Sequence, residues 1–377
     1  MEYGIFSSIY GNYKIEKAAK KIKAAGFTCV QFDPMLTEGK SLDPQKVSEK
    51  KLKRYRNAFE QEGIRIISIG AYGRLISPDP AEAKSTVEMV KAWIRLAPVL
   101  GAETVVTETG SKHPTHNWTD CPENHSKEIW AEIVSTFKEL TDYAGTYGVN
   151  LAVEPHFAQP LRDAEQLRKL LDDVNSDHLK IVFDAANFVT SENAARLDQE
   201  IEKFGALLGK DIVLAHAKDA NIEDRETLFS AAGKGILPYR TYLRTLKKTG
   251  YSGPVLLEWT DEEDAPRALS YMKEQEIPPF MLPLFRADAE LFGNANEALN
   301  IVHKDSGALE LKYRLLLSMV ADALMRHPQG AAACAREAIE AGASKEEVTE
   351  AARVIYTAGG LPALIENFDI YREVLLK

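Results

Sequence analysis

Short apolar runs, each closed by one polar residue, recur along the first three-quarters of the chain. Leu151-Ala152-Val153 is followed by Glu154, Ile181-Val182-Phe183 by Asp184, Ile212-Val213-Leu214-Ala215 by His216, and Val255-Leu256-Leu257 by Glu258. Unbroken apolar runs of this length fit strands buried on both faces, as in parallel sheets. The full set of expected strands is 3–7, 28–32, 65–70, 104–108, 150–154, 180–184, 211–216 and 254–258. Amphipathic, charge-rich stretches lie between them, such as 15–25, 86–100 and 126–147. Several end in a glycine just ahead of the next strand (Gly26, Gly63, Gly101, Gly148, Gly209 and Gly250), where a left-handed C-cap is expected. Eight βα units before about residue 275 is the arithmetic of a (β/α)8 barrel. A doubly wound sheet is the rival, but it usually has fewer strands and a glycine-rich first turn; here the first strand leads into Ser7-Ser8-Ile9-Tyr10-Gly11.

The pattern then changes. Glu276-Ile277-Pro278-Pro279-Phe280-Met281-Leu282-Pro283 carries three prolines and reads as a linker over 276–286 between a barrel at 1–275 and a tail at 287–377. The tail reads as all helix, with segments at 287–302, 309–326, 328–341, 345–358 and 361–376. Ser344 followed by Glu346 and Glu347 predicts a capping box; Gly342 and Gly359-Gly360 mark helix ends. The expected fold is thus α/β, a (β/α)8 barrel followed by a small all-α domain.

At 377 residues the chain is long enough for two domains and a large core. A formal net charge of -10 argues against a nucleic-acid surface, and no apolar stretch approaches the ~20 residues that span a bilayer. The start, Met1-Glu2-Tyr3-Gly4-Ile5-Phe6, reads as a strand rather than a leader. The 3 cysteines, Cys29, Cys121 and Cys334, are few and scattered, which fits a reducing cytoplasm. A cytoplasmic protein with a small-molecule substrate is expected.

In a parallel barrel the strand C-termini converge on one face, where chemistry sits. Glu154, Asp184, His216 and Glu258 would end the fifth to eighth strands and meet along half of that rim. Three carboxylates and one imidazole suit Mn2+, Co2+ or Mg2+, and Zn2+ is compatible. Such an ion holds adjacent oxygens of a carbohydrate and polarises a carbonyl, while one glutamate removes a carbon-bound proton and another returns it. This is machinery for isomerisation or epimerisation through an enediolate. The loop after the fourth strand, 110–122, carries Lys112, His113, His116 and Trp118 and suits an active-site cover in which His116 reaches substrate. Each signal has a plainer reading. A strand-end carboxylate is often a helix N-cap, His113 and His116 can be solvated, Lys218 beside Asp219 can be a surface ion pair, and Cys29 can be a small buried hydrophobe.

The chain resembles the sugar phosphate isomerase/epimerase superfamily, the xylose-isomerase-like barrels. The resemblance spans about residues 3–275. It rests on Val153-Glu154-Pro155-His156, Phe183-Asp184-Ala185-Ala186-Asn187, His216-Ala217-Lys218-Asp219, Gly233-Lys234-Gly235 and Leu257-Glu258-Trp259. It implies that Glu154 and Glu258 are both metal ligands and the proton-transferring pair, with Asp184 and His216 completing the shell. It also implies substrate contacts from His156, Asn187 and Lys218, and closure of the Gly233-Lys234-Gly235 backbone over an anionic group. Ketose epimerases often carry histidine where this chain has Asn187, which weakens that particular assignment. A dehydratase using the same enediolate is the near alternative. The DNA-repair endonucleases of the superfamily need more histidines and a cationic groove, and 8 histidines with a charge of -10 oppose that.

The tail resembles the carboxymuconolactone decarboxylase/alkyl hydroperoxidase D-like fold, on Leu311-Lys312-Tyr313-Arg314, the stretch from Ala338 to Val348, and Gly359-Gly360-Leu361-Pro362-Ala363. Where redox members carry two cysteines and a histidine on one helical face, this chain has His327, Gly330 and Cys334, so a dithiol cycle is excluded. A Cys334–His327 nucleophile and base pair is a candidate second site, with decarboxylase chemistry as its consequence. The resemblance also implies that the tail drives homo-oligomer assembly.

Overall fold

Eight parallel strands close on themselves. The computed structural model describes residues 1–303 and 307–376, and these divide into two units, Met1–Ile277 and Pro278–Lys377.

In the first unit, strands β1 (Tyr3–Phe6), β2 (Cys29–Phe32), β3 (Arg65–Gly70), β4 (Thr104–Thr107), β5 (Asn150–Val153) and β6 (Leu179–Asp184) pair in order. Strand β7 (Ile212–Glu223) pairs with β6, and β9 (Val255–Leu257) lies between β7 and β1, which closes the barrel. Helices α1 (Ile15–Ala24), α2 (Glu49–Gln61), α3 (Pro80–Leu100), α4 (Lys127–Thr146), α5 (Ala164–Val174), α6 (Leu197–Leu208), α7 (Tyr239–Lys248) and α8 (Ala265–Gln275) alternate with the strands. The barrel interior is filled by Phe6, Cys29, Val106, Ala152, Val182, Leu214 and Leu256. Gly4 permits that filling, because a Cβ there would lie 2.5 Å from Leu256 Cδ2 and 2.6 Å from Cys29 Sγ. The larger apolar layer lies between strands and helices and includes Phe32, Trp93, Phe137, Phe183 and Phe204.

Two local expectations fail for identifiable reasons. Gly209 is not a left-handed cap but right-handed, at φ -52°. Its missing side chain instead lets α6 approach α7, since a Cβ at Gly205 or Gly209 would overlap Thr245 or Thr249. The expected strand at 211–216 runs on to Glu223 and turns into a ninth, antiparallel strand, β8 (Glu226–Ala231). The turn is Asp224-Arg225, with φ of 48° and 70°; the usual asparagine–glycine signal is absent, so the hairpin left no mark in the sequence. The proline-rich segment forms a 3-10 turn, Pro279–Met281, and a helix, α9 (Leu282–Ala287), because proline at a helix's first positions starts it rather than breaking it.

The second unit continues with α10 (Ala289–His303), α11 (Leu311–Leu324), α12 (Pro328–Glu340), α13 (Lys345–Glu366), α14 (Phe368–Ile370) and a π turn, Tyr371–Leu375. Ser344 and Glu347 form the capping box at the start of α13, and Gly360 at φ 73° breaks that helix. The small core joins Leu315, Leu316 and Met319 to Ala331, Ala335 and Ala338, with Val348, Ile355 and Ile370. No described helix is long and apolar enough to cross a membrane.

Candidate metal centre

Backbone pairing brings four polar side chains together. Asp184 closes β6 and is the register partner of His216 on β7. Glu154 follows the last residue of β5, and its N–H donates to Thr107 O at 2.8 Å. Glu258 follows β9, and its N–H donates to Ala217 O at 3.3 Å. One ligand atom from each of the four lies within 4.8 Å of the others. Asp184 and His216 are completely or almost completely buried, at 0 % and 1 % exposed; the glutamates, on the outer strands of the four, are slightly more open.

Neighbours fix the carboxylates. Asn187 Nδ2 donates to Glu154 Oε1 at 2.9 Å, and the Tyr72 hydroxyl donates to Glu154 Oε2 at 2.7 Å. Asp184 Oδ1 accepts the Ala186 N–H at 3.0 Å, so the plain cap role and membership of the cluster coexist. The Lys218 ammonium sits 2.6 Å from Asp184 Oδ2 and 2.8 Å from Glu258 Oε1. Lys218 is therefore a buried member of the cluster, not a surface partner of Asp219.

Charge distribution follows from burial set against these contacts. Burial favours the neutral form of Glu154, but His216, Lys218 and Tyr72 override it and hold the carboxyl well below its usual range. Burial pushes Glu258 up to about 8; Lys218 opposes this, and Asp184 and Glu154 reinforce it. Burial disfavours charge on His216, yet Glu154, Glu258 and Asp184 together raise its pKa above the ordinary imidazole value. His156 is pushed down to about 3 by burial and then by Lys218, so it is neutral. Its Nδ1 accepts the Ala158 N–H at 3.2 Å, which leaves the proton on Nε2.

The donor set fits a divalent cation. Three carboxylates and an imidazole are its usual protein ligands, and both nitrogens of buried His216 lack a hydrogen-bond partner. His216 Nδ1 faces Glu154 Oε2 at 3.5 Å and Glu258 Oε1 at 3.9 Å.

Other expected residues sit differently. His116 is exposed in the loop after β4, with its ring stacked on His113 at 5.7 Å, so the structure does not bring it into the four-residue cluster. The Gly233 N–H donates to Asp219 Oδ2 at 3.0 Å and the Lys234 N–H to Ala231 O, so these two amides are already used and do not await an anion. In the helical unit, Cys334 Sγ and His327 Nδ1 each lie 3.9 Å from the Asp322 carboxylate. Burial, then Asp322, pushes the Cys334 thiol up to about 12, which keeps it protonated and poorly nucleophilic.

Sequence reasoning missed Tyr72, Glu108 and Phe229. Glu108 follows β4 and accepts from Asn117 at 2.6 Å, Trp118 at 3.0 Å and Gln159 at 2.8 Å, which ties the loop after β4 to the rim. Phe229 on β8 faces His156 at 5.9 Å and Trp259 at 5.2 Å, forming an aromatic wall. The run Thr104-Val105-Val106-Thr107 closed by Glu108 carried the same signal as the other four. Tyr72 and Phe229 carried none.

Residues 19–275 match the family model described as xylose isomerase-like TIM barrel, and residues 289–373 match the carboxymuconolactone decarboxylase family. Among curated relatives, an uncharacterized protein of Methanocaldococcus jannaschii is 27% identical over 73% of this chain and 89% of its own length. Inosose dehydratase of Bacillus licheniformis is 22% identical over 38% of this chain, a match spanning about half (51%) of that protein. Among solved structures, D-psicose 3-epimerase in the presence of D-fructose aligns with a TM-score of 0.56 at 19% identity, over 73% of this chain and 99% of that one. The IOLI protein with a bound zinc atom aligns with a TM-score of 0.54 at 20% identity, over 73% of this chain and 96% of that one. The closed parallel barrel, its rim of acids and histidine, and the matched span together place this chain in the xylose isomerase-like TIM barrel family, with a carboxymuconolactone decarboxylase family segment following the barrel.

Proposed function

We propose that the barrel is a divalent-metal-dependent isomerase or epimerase of a small sugar, sugar phosphate or hydroxy-keto acid. The observation that carries this reading is the convergence of Glu154, Asp184, His216 and Glu258 within 4.8 Å. These residues would hold one ion, with Mn2+, Co2+ or Mg2+ favoured by the oxygen donors and Zn2+ admitted by the imidazole. When bound, the ion supplies polarisation of a substrate carbonyl, which acidifies the neighbouring carbon. The rest falls to the side chains. Glu154 and Glu258 flank Asp184 and His216 because β5 and β9 flank β6 and β7, so they approach a substrate from two sides, one removing the carbon-bound proton and the other returning it. Tyr72 and Asn187 hold Glu154 by one hydrogen bond on each oxygen. His156 offers its Nε2 proton to a substrate oxygen.

Glu154→Gln and Glu258→Gln test this reading in deuterated water. Each should abolish incorporation of solvent deuterium into substrate while the protein stays folded; unchanged exchange rejects it. A dehydratase reading is favoured by the similarity to inosose dehydratase. It shares the proton abstraction and differs in loss of a hydroxyl on the next carbon, so detection of an eliminated product in the same assay decides between the two. The helical tail enters this reading as the assembly element of a homo-oligomer, which a monomeric mass in light scattering rejects.

A further inference from the structure

Lys218 lies inside the carboxylate cluster rather than beside it. Its Nζ is 2.6 Å from Asp184 Oδ2, 2.8 Å from Glu258 Oε1 and 3.7 Å from Glu154 Oε1, and 5 % of its side chain is exposed. Its place is fixed by the fold. It pairs with Ala231 across the β7–β8 hairpin, its carbonyl accepts the Tyr239 hydroxyl at 2.7 Å, and its Nζ lies 4.9 Å from the Phe229 ring.

Metal ligation requires all three carboxylates ionised, which gives the cluster three negative charges. A divalent ion alone would leave one uncompensated negative charge buried, which is costly in a low-dielectric site. One ammonium completes the balance. The carboxylates serve both sides of the cluster: on Glu154, Lys218 faces Oε1 while His216 Nδ1 faces Oε2 at 3.5 Å, and on Glu258 the single oxygen Oε1 faces Lys218 at 2.8 Å and His216 Nδ1 at 3.9 Å. With no ion bound, Lys218 still holds the carboxylates against their mutual repulsion. With an ion bound, a positive charge this close repels it.

We infer that Lys218 is a resident counter-cation of the metal centre, sharing its three carboxylates with the ion, keeping the metal-free cluster intact and weakening the ion's hold so that it remains exchangeable. This rests on the metal reading above and adds to it a role for a residue that is not itself a ligand.

The test uses the full chain stripped of metal by a chelator, as wild type, Lys218→Met and Lys218→Arg. Thermal unfolding is followed without metal, and Mn2+ is titrated calorimetrically. Lys218→Met should melt several degrees lower when metal-free, yet bind Mn2+ tighter by roughly tenfold or more, because a repelling charge is gone. Lys218→Arg, which keeps the charge, should bind Mn2+ more weakly than Lys218→Met does. If the methionine variant fails to fold, Lys218→Gln takes its place under the same criterion. Mn2+ binding by the neutral variant that equals or falls below wild type overturns the inference and leaves the metal reading standing. No Mn2+ binding by any of the proteins overturns the metal reading, and this one with it.

Discussion

The Tyr72 hydroxyl lies 2.7 Å from Glu154 Oε2, so a residue in the loop after β3 fixes a carboxylate at the end of β5. The tyrosine is itself held: Ser68 Oγ donates to Gln31 Oε1 at 2.9 Å, and Gln31 Nε2 donates to the Tyr72 oxygen at 3.0 Å. Burial, with Glu154 beside it, raises the Tyr72 pKa well above the usual phenol value, so it remains a donor. A hydrogen bond to a charged group is worth about 1.5–3 kcal/mol. Tyr72→Phe should therefore lower the melting temperature by a few degrees, because a buried Glu154 oxygen loses its donor, and slow deuterium exchange into substrate by roughly tenfold to a hundredfold. Wild-type exchange in this variant would show that Glu154 is positioned without it.

His216 is the only nitrogen donor in the four-residue cluster. His216→Ala should remove stoichiometric metal from the purified protein, as measured by elemental analysis, and activity should not return on adding Mn2+. Chelation of wild type should likewise abolish activity, but reversibly.

Glu108 supplies a pH dependence whose sign is fixed. Burial pushes its pKa up to about 7, against donation from Trp118, Gln159 and Asn117. Its folded pKa exceeds the ordinary glutamate value, so the native state binds the proton more tightly. Its stabilising contribution is complete below about pH 4.5 and is lost as pH rises through about 7, to the extent of on the order of 3 kcal/mol. Glu108→Gln removes this term. The difference in urea unfolding free energy between wild type and Glu108→Gln should shift against wild type between pH 5 and pH 8, and a flat difference would refute it. Trp118 fluorescence should report the same transition, because its indole donates to Glu108.

Cys334 should behave as an inert thiol. With its pKa pushed up to about 12, little thiolate exists at pH 8. A thiol reagent should modify it slowly under native conditions, and Cys334→Ala should leave barrel activity unchanged. Rapid modification, or lost activity, would reinstate Cys334 and His327 as a second site.

The barrel was legible because each strand is buried on both faces and carries its own apolar run, and parallel strand ends must meet. The convergence of Glu154, Asp184, His216 and Glu258 follows from that topology alone. What stayed hidden depends on side chains whose partners are distant in sequence. Tyr72 reaches across to Glu154 from 82 positions away, and no local pattern encodes such a bond. The resemblance implies Lys218 at the site as a substrate contact, with a surface ion pair to Asp219 as its plainer reading; its bonds to the carboxylates themselves are not visible in the sequence. In fact Asp219 binds the backbone amides of Ala220, Gly233 and Leu237, and Lys218 turns to the acids of three other strands. The β7–β8 hairpin was missed because Asp224 and Arg225 adopt positive φ without glycine.

The extension of β7 beyond the barrel has a consequence for the accuracy of the centre. Successive residues of a strand face opposite ways, so a slip of one position would replace the imidazole at the rim with the methyl group of Ala215 or Ala217. Six further ladder pairs, from Lys218 with Ala231 to Glu223 with Glu226, lie beyond His216 and resist that slip. The hairpin thus works as a vernier: pairing outside the ring calibrates where the histidine stands within it, and damage at the tip would be read out as misplacement of a side chain the tip never touches.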